Sequence, residues 1–196
     1  MKGPAADWDR IRQRLGALIA ARDWPAAEGL LRRSAGRADA PAAIHHNLGQ
    51  VLAEQGRAEE AGRCFKRATD VAPDYAAAWF ALGRCHGQAG RLPEAAEALL
   101  RAAELTPREP ELQRMAARTC TATGAWVGAA ACFARLLALR PGDAEALVGR
   151  YKATSEARLP EAEAARAALL AVPALRGKFL STTIRLSAGR LPLRPT

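Results

Sequence analysis

Apolar residues recur at spacings of three and four along residues 42–55 and again along residues 57–71. That spacing places them on one face of a helix, so each segment is predicted to form an amphipathic helix. Gly56 between the segments suits the left-handed conformation that commonly ends a helix, and Pro73 cannot continue the second helix. The pattern therefore predicts a helical hairpin whose apolar face must be covered by a neighbouring part of the chain.

The hairpin pattern recurs with a period of 34 residues. In each copy, small residues allow close approach of the helices, a large apolar residue fills the space between them, and a proline closes the unit. The recurring positions are Leu48-Gly49, Gly56, Ala61, Phe65, Ala68 and Pro73; then Leu82-Gly83, Gly90, Ala95, Leu99, Ala102 and Pro107; then Ala116-Ala117, Gly124, Ala129, Phe133, Leu136 and Pro141. A pattern of this period and composition resembles the tetratricopeptide repeat family.

The resemblance implies an all-α fold, a right-handed superhelix (alpha-alpha solenoid) of about five helical hairpins. Residues 1–41 form a divergent first hairpin with predicted helices at 8–22 and 24–36. Three well-formed repeats follow at 42–75, 76–109 and 110–143, and residues 144–173 make a degenerate hairpin. In that last hairpin Ala157-Arg158 aligns with Ala89-Gly90-Arg91, which predicts that the turn glycine is missing, that Arg166 takes the place of Phe, and that its second helix spans 160–172.

Residues 174–196 are predicted to form a capping helix, with Phe179, Leu180, Ile184 and Leu186 on one face, and then a basic tail. An alternative is that this end leads into a further domain. The net charge of the chain is +9, and only four of the 29 basic residues are lysine. An arginine-rich composition of this kind reflects coding bias as readily as nucleic-acid binding, so we expect neither nucleic acid nor a membrane as partner.

The chemistry of the sequence argues against an enzyme. It contains no nucleophile elbow, H-E-x-x-H motif or phosphate-binding loop, and adjacent His45 and His46 point about 100° apart on a helix, so they cannot ligate one metal ion together. We expect no cofactor and no metal. The four cysteines form no C-x-x-C pair, and with no secretory signal this predicts reduced, buried thiols in a cytoplasmic protein.

The resemblance also implies where a partner would bind. In this family the first helix of each hairpin lines a concave groove that commonly binds peptides. The residues at the groove positions are Arg12, His46, Gln50, Phe80, Arg84, Gln88, Arg114, Arg118 and Lys152. Their cations outnumber the acids Glu54, Glu111 and Glu145, which predicts a groove for an acidic or carboxylate-bearing segment of another protein.

Three other interpretations remain open at this point. The charged groove residues are equally consistent with a solvated helix face that binds no ligand. On such a face they would pair with neighbours on the same helix, as Glu111 would with Arg114. The chain could instead be a regulatory or targeting module that acts with a separate transferase-type catalytic protein or domain, as in bacterial proteins where such repeats precede transferases. It could also associate with copies of itself.

The two-carboxylate clamp of some family members is absent, because Gly16, Ala77 and Ala81 stand at its positions.

Overall fold

The computed structural model describes residues 4–177 and contains helices only within them. The predicted all-α helical-repeat solenoid is confirmed. The chain divides into two compact units, Met1–Gly90 and Arg91–Thr196. The predicted capping segment with Phe179, Leu180, Ile184 and Leu186, and the basic tail, lie outside the described residues.

The first unit contains five helices, each packed against the next in chain order. They are α1 (Pro4–Ala20), α2 (Trp24–Ala35), α3 (Ala42–Glu54), α4 (Ala58–Val71) and α5 (Ala76–Gln88). Both α3 and α4 agree with the predicted segments to within one residue at each end. Helix α1 begins earlier than predicted, at Pro4, and ends at Ala20 because Arg22 leaves the helical conformation, with φ +54°.

The second unit also packs its helices consecutively. They are α6 (Leu92–Leu105), α7 (Pro110–Thr123), α8 (Trp126–Leu139), α9 (Ala144–Glu156) and α10 (Ala162–Leu170), followed by a single 3-10 turn at Pro173–Leu175. Helix α10 is shorter than the predicted 160–172, because Pro160 and Glu161 form a turn before it.

The turns that end the first helices share one backbone geometry. Gly56 has φ +75°, and Gly90 and Gly124 have φ +74°. The Gly56 N–H donates to Ala53 O at 2.9 Å and the next N–H, of Arg57, donates to Leu52 O at 2.9 Å. These are the two hydrogen bonds of the Schellman motif, in which a left-handed residue terminates a helix.

Arginine takes this left-handed position in the first and last hairpins. Arg22 has φ +54° and Arg158 has φ +53°. The Arg158 N–H donates to Ser155 O at 3.2 Å and the Leu159 N–H donates to Thr154 O at 2.9 Å, so the Schellman hydrogen bonds are complete. The turn glycine is absent from the last hairpin, as predicted, but the predicted alignment is wrong in register because no residue is missing: Arg158 itself is the turn residue.

The same register error affects the prediction for Arg166. This side chain is exposed, and the buried residues of α10 are Ala165 and Leu169. They have the four-residue spacing of Ala61 and Phe65 in α4, so Leu169 fills the core where Arg166 was expected. The remaining residues of α10 are exposed or half-buried.

Close helix contacts depend on glycine at two places. A Cβ atom built on Gly49 would lie 2.6 Å from Phe65 Cε1, and one built on Gly149 would lie 2.3 Å from Phe133 Cζ. Both phenylalanine rings therefore pack directly on the backbone of a neighbouring helix. The repeat pattern predicted the first of these contacts, whereas Gly149 stands at a different repeat position and was not predicted.

Candidate functional site

A pocket of about 510 Å³ lies between α3 and α5 in the first unit. We call it the α3–α5 pocket. Five of the predicted groove residues line it: His46, Gln50, Phe80, Arg84 and Gln88. They meet because each helix presents residues four apart on one face, and α3 and α5 turn those faces to the same space.

The floor and walls of the α3–α5 pocket are mainly apolar. Ala61 and Phe65 from α4 lie behind it, and Ala77 and Ala81 on α5 leave room beside the half-buried Phe80. The two alanines stand four residues apart and so share one face of α5, and their methyl side chains are too small to fill the space. This opening was not predicted, although alanines at that spacing beside a phenylalanine are a signal that could have indicated it.

His46 belongs to the floor of the pocket. Its ring centroid lies 5.6 Å from that of Phe65 and 5.2 Å from that of Tyr75. The Tyr75 hydroxyl oxygen is 3.4 Å from His46 Nδ1. Burial lowers the pKa of His46, so the imidazole is neutral at neutral pH and supplies shape and a hydrogen-bonding nitrogen rather than charge.

Arg84 is the cation of the α3–α5 pocket. Its guanidinium carbon lies 5.8 Å from the Phe80 ring centroid, and the side chain is exposed. Within residues 4–177 it makes no ion pair with a carboxylate. Glu54 on the opposite wall is likewise exposed and forms no ion pair within the same residues.

Arg12 does not reach this pocket. It lines a second cavity of the first unit, of about 450 Å³, together with Trp8, Leu15 and Ile44. Its Nη2 atom lies 2.6 Å from Asp9 Oδ1, so the charge is partly neutralised by an exposed neighbour on the same helix. Asn47 lines both cavities.

Arg114 and Arg118 lie in the second unit, where carboxylates surround them. Arg114 Nη2 is 2.6 Å from Asp143 Oδ2, and its Nη1 is 3.1 Å from Glu145 Oε2. Arg118 Nη2 donates to Glu145 Oε2 at 2.7 Å. The local pair predicted between Glu111 and Arg114 is also present, at 3.5 Å.

The effect of these contacts appears in the acidity of the carboxyls. Hydrogen bonding from Arg114 lowers the pKa of Asp143, and hydrogen bonding from Arg118 lowers the pKa of Glu145. Both arginines are thus held by internal carboxylates, which would compete with the carboxylate of a ligand. Lys152 is placed differently, with its ammonium nitrogen 5.2 Å from the Trp126 ring centroid.

Arg118 also lines a cavity of about 540 Å³ in the second unit, with Phe133, Val148 and Gly149. The repeat pattern did not predict this cavity.

Three of the cysteines, Cys85, Cys120 and Cys132, are buried and Cys64 is half-buried. Burial raises the pKa of the Cys132 thiol to about 11, so it is protonated at neutral pH and unreactive as a nucleophile.

Between residues 4 and 177, no three His, Cys, Asp or Glu side chains cluster as a metal ion would require. None of the helices described above is long and apolar enough to cross a membrane.

Comparison with known proteins gives one sequence match and several structural ones. Residues 46–110 match the tetratricopeptide repeat family model. Among curated protein sequences, no significant match to the chain is found.

The solved structures share the fold at low sequence identity. The crystal structure of MamA protein aligns with a TM-score of 0.59 and 16% identity, covering 95% of this chain and 97% of that one. YrrB, described as a TPR protein with an unusual peptide-binding site, aligns with a TM-score of 0.59 and 18% identity, covering 90% of this chain and 84% of that one. The C-terminal part of a TPR repeat-containing protein from Cytophaga hutchinsonii aligns with a TM-score of 0.59 and 16% identity, covering 91% of this chain and 67% of that one.

The 34-residue pattern, the consecutive helices with their shared turn geometry and the similar solved structures identify the fold as a helical-repeat solenoid, and the family match places tetratricopeptide repeats within residues 46–110.

Proposed function

We propose that this protein is a non-enzymatic scaffold that binds an extended segment of a partner protein in the α3–α5 pocket. The observation that carries the proposal is the pocket itself, an apolar hollow of about 510 Å³ in which Arg84 lies without a carboxylate partner from residues 4–177. Ligand pockets typically combine a concave apolar lining with a few polar groups that fix orientation, in volumes of roughly 300–1,000 Å³.

An apolar side chain of the partner would enter beside Phe80 and Ala81. Affinity in such contacts comes mainly from a buried aromatic or aliphatic anchor in a well-packed pocket. A carboxylate on the same segment would pair with Arg84, whose planar guanidinium can donate two parallel hydrogen bonds to it. Arg84 suits this part better than Arg114, because Arg114 is already held by Asp143 and Glu145. YrrB, which shares the fold, is a TPR protein with a peptide-binding site, and this supports peptide binding as the general mode.

The experiment begins with a photoreactive benzoylphenylalanine in place of Ala77, inside the pocket, and a control replacement of Arg63, an exposed residue of α4 outside the pocket lining. Cross-linking in native cell lysate should capture a protein from the Ala77 position that the Arg63 position does not capture. The captured protein is then purified, and its affinity is measured for the wild type and for Ala81→Trp, which fills the pocket.

We expect Ala81→Trp to weaken binding by about tenfold or more, since the indole occupies the space of the anchor residue. Circular dichroism and urea denaturation should show that the variant keeps its helices. Phe80→Ala, which removes apolar surface without filling the pocket, provides a second test with the same expected direction. Unchanged affinity in both variants, or equal cross-linking from the two positions, would overturn the proposal.

A further inference from the structure

We infer that the bound segment carries both an acidic and a basic side chain, and that Arg84 and Glu54 recognise them as a pair. The inference rests on the proposed function and specifies the ligand of the same pocket. It differs from an acid-only ligand, which the excess of cations in the sequence alone would favour.

The polar rim of the α3–α5 pocket has a regular arrangement. Gln50 and Glu54 stand on α3, and Arg84 and Gln88 stand on α5, each pair four residues apart and all four side chains exposed. Adding the 34-residue period to Gln50 gives Arg84, and adding it to Glu54 gives Gln88. The rim is therefore a two-by-two array with opposite charges on one diagonal and amides on the other.

The two charges are not used within the part of the chain that the structure describes. Neither Glu54 nor Arg84 has an oppositely charged group within ion-pair distance among residues 4–177. Other charges of the same unit are paired: Arg57 Nη1 lies 2.7 Å from Glu28 Oε2, and Arg32 Nη2 lies 2.8 Å from Glu60 Oε2. A cation and an anion that remain unpaired on opposite walls of one pocket are available to a ligand carrying both complementary charges.

The amides on the other diagonal fit an extended backbone. Each glutamine side chain provides both donors and an acceptor, and an extended peptide presents N–H and C=O groups alternately. Gln50 and Gln88 can therefore hydrogen-bond to the main chain of the segment whatever its sequence, while Arg84 and Glu54 read its side chains. Recognition of this kind divides affinity and specificity between main-chain and side-chain contacts.

The array also sets the spacing of the ligand's charges. Glu54 and Arg84 stand on different helices and one helical turn apart along the repeat, so the two charges of the ligand must be separated along the bound segment. The acidic and basic residues should therefore stand at one fixed spacing. An apolar residue between them would then reach Phe80 and Ala81. An acid-only segment would instead place a carboxylate near Glu54, which disfavours it by repulsion.

The test is a selection from a library of random twelve-residue peptides displayed on phage, using the full chain as target. Sequences retained by the wild type and lost with Ala81→Trp should share an apolar residue flanked by one acidic and one basic residue at a fixed spacing. For a synthetic peptide of that pattern, Arg84→Gln and Glu54→Gln should each weaken binding by about tenfold, the usual scale of a charge-assisted contact.

The charge-reversed double variant Glu54→Arg/Arg84→Glu gives the sharpest result. It should select peptides in which the acidic and basic positions are exchanged, and bind the exchanged synthetic peptide more tightly than the original. The control Arg63→Glu, which changes an exposed charge outside the pocket, should select the same peptides as the wild type.

Peptides that depend on the pocket but show only an acidic preference, with Glu54→Gln binding as the wild type does, would overturn this inference and leave the proposed function standing. A selection that yields no peptide sensitive to Ala81→Trp would count against both. Helix content and urea denaturation of every variant exclude loss of folding as the cause.

Discussion

Arg114 holds Asp143 at the start of α9, with Nη2 of the arginine 2.6 Å from Oδ2 of the aspartate. The same aspartate caps the helix, because its Oδ1 accepts a hydrogen bond from the Ala146 N–H at 2.9 Å. Only 17% of the Arg114 side chain and 11% of the Asp143 side chain are exposed. A residue predicted to contact a ligand is thus also a structural link between α7 and α9.

We expect Arg114→Met to lower the free energy of unfolding by about 1–3 kcal/mol, because it leaves a largely buried carboxylate without its cation. Arg101→Met is the matched control: it removes a pair with Glu104 in which 45% and 42% of the side chains are exposed. Exposed pairs of this kind contribute about 0–1 kcal/mol. Urea denaturation of both variants measures the difference. Equal losses in the free energy of unfolding would show that the Arg114–Asp143 pair contributes no more than an exposed pair.

Acid should weaken the second unit through the same contacts. The pKa values of Asp143 and Glu145 are lowered by hydrogen bonds from Arg114 and Arg118. A carboxyl whose folded-state pKa lies below its unfolded value stabilises the fold fully above the unfolded pKa of about 4, and this stabilisation is lost as the pH falls through the folded-state value. Denaturation in urea at a series of pH values should therefore show stability falling from about pH 5 downwards. The loss of stability with falling pH should be smaller in Arg114→Met than in the wild type. Identical curves would show that the Arg114 contacts do not cause the pH dependence.

Gly49→Ala tests the packing of Phe65 on the backbone of α3. The added methyl would lie 2.6 Å from Phe65 Cε1, closer than a carbon atom can be accommodated, so the ring must move. Overpacking typically costs about 1–3 kcal/mol, which exceeds the gain of roughly 0.5–1 kcal/mol from replacing a helical glycine. The control Gly16→Ala in α1 meets no atom within 4 Å and should stabilise the chain. If both substitutions stabilise it to the same degree, the Phe65 contact is looser than described.

Arg158→Gly should stabilise the protein by about 0.5 kcal/mol. Glycine adopts the left-handed conformation without the steric cost that arginine bears there, and this gain is partly offset by the greater conformational entropy of glycine in the unfolded chain. Gly124→Ala, at the equivalent turn with φ +74°, should destabilise it by about 1 kcal/mol. Thermal and urea denaturation measure both changes. Gly142→Ala serves as control, because that glycine has no positive φ and an added methyl meets no atom within 4 Å. A loss of stability in Arg158→Gly would mean that the arginine side chain contributes more than its backbone strain costs.

Much of the fold was predictable because it depends on local properties. Helix periodicity located α3 and α4 to within a residue, and the recurrence of Gly56 at Gly90 and Gly124 marked turns that do adopt positive φ. The prediction failed at the last hairpin, where Arg158 takes that conformation without being glycine. The packing of α9 against α10 needs a turn at this position. It outweighs the cost of about 1 kcal/mol that arginine bears in the left-handed conformation.

The candidate site was predictable in part. Repeat spacing was sufficient to bring His46, Gln50, Phe80, Arg84 and Gln88 into one pocket, because residues four apart share a helix face. The same rule treated Arg84 and Arg114 as equivalent, and the structure distinguishes them. Asp143, 29 residues along the chain from Arg114, reaches its guanidinium, whereas no carboxylate from residues 4–177 reaches Arg84.

The sequence by itself determined the repeat, the helices and the face of each helix that carries polar residues, because these follow from periodicity and from the conformations open to glycine and proline. Tertiary structure alone decided which charges of the described residues form ion pairs with one another and which do not. It also decided where Ala77 and Ala81 open a pocket and where Gly149 admits the Phe133 ring. Those outcomes depend on distances of a few ångströms between side chains far apart in the chain, which no local pattern encodes.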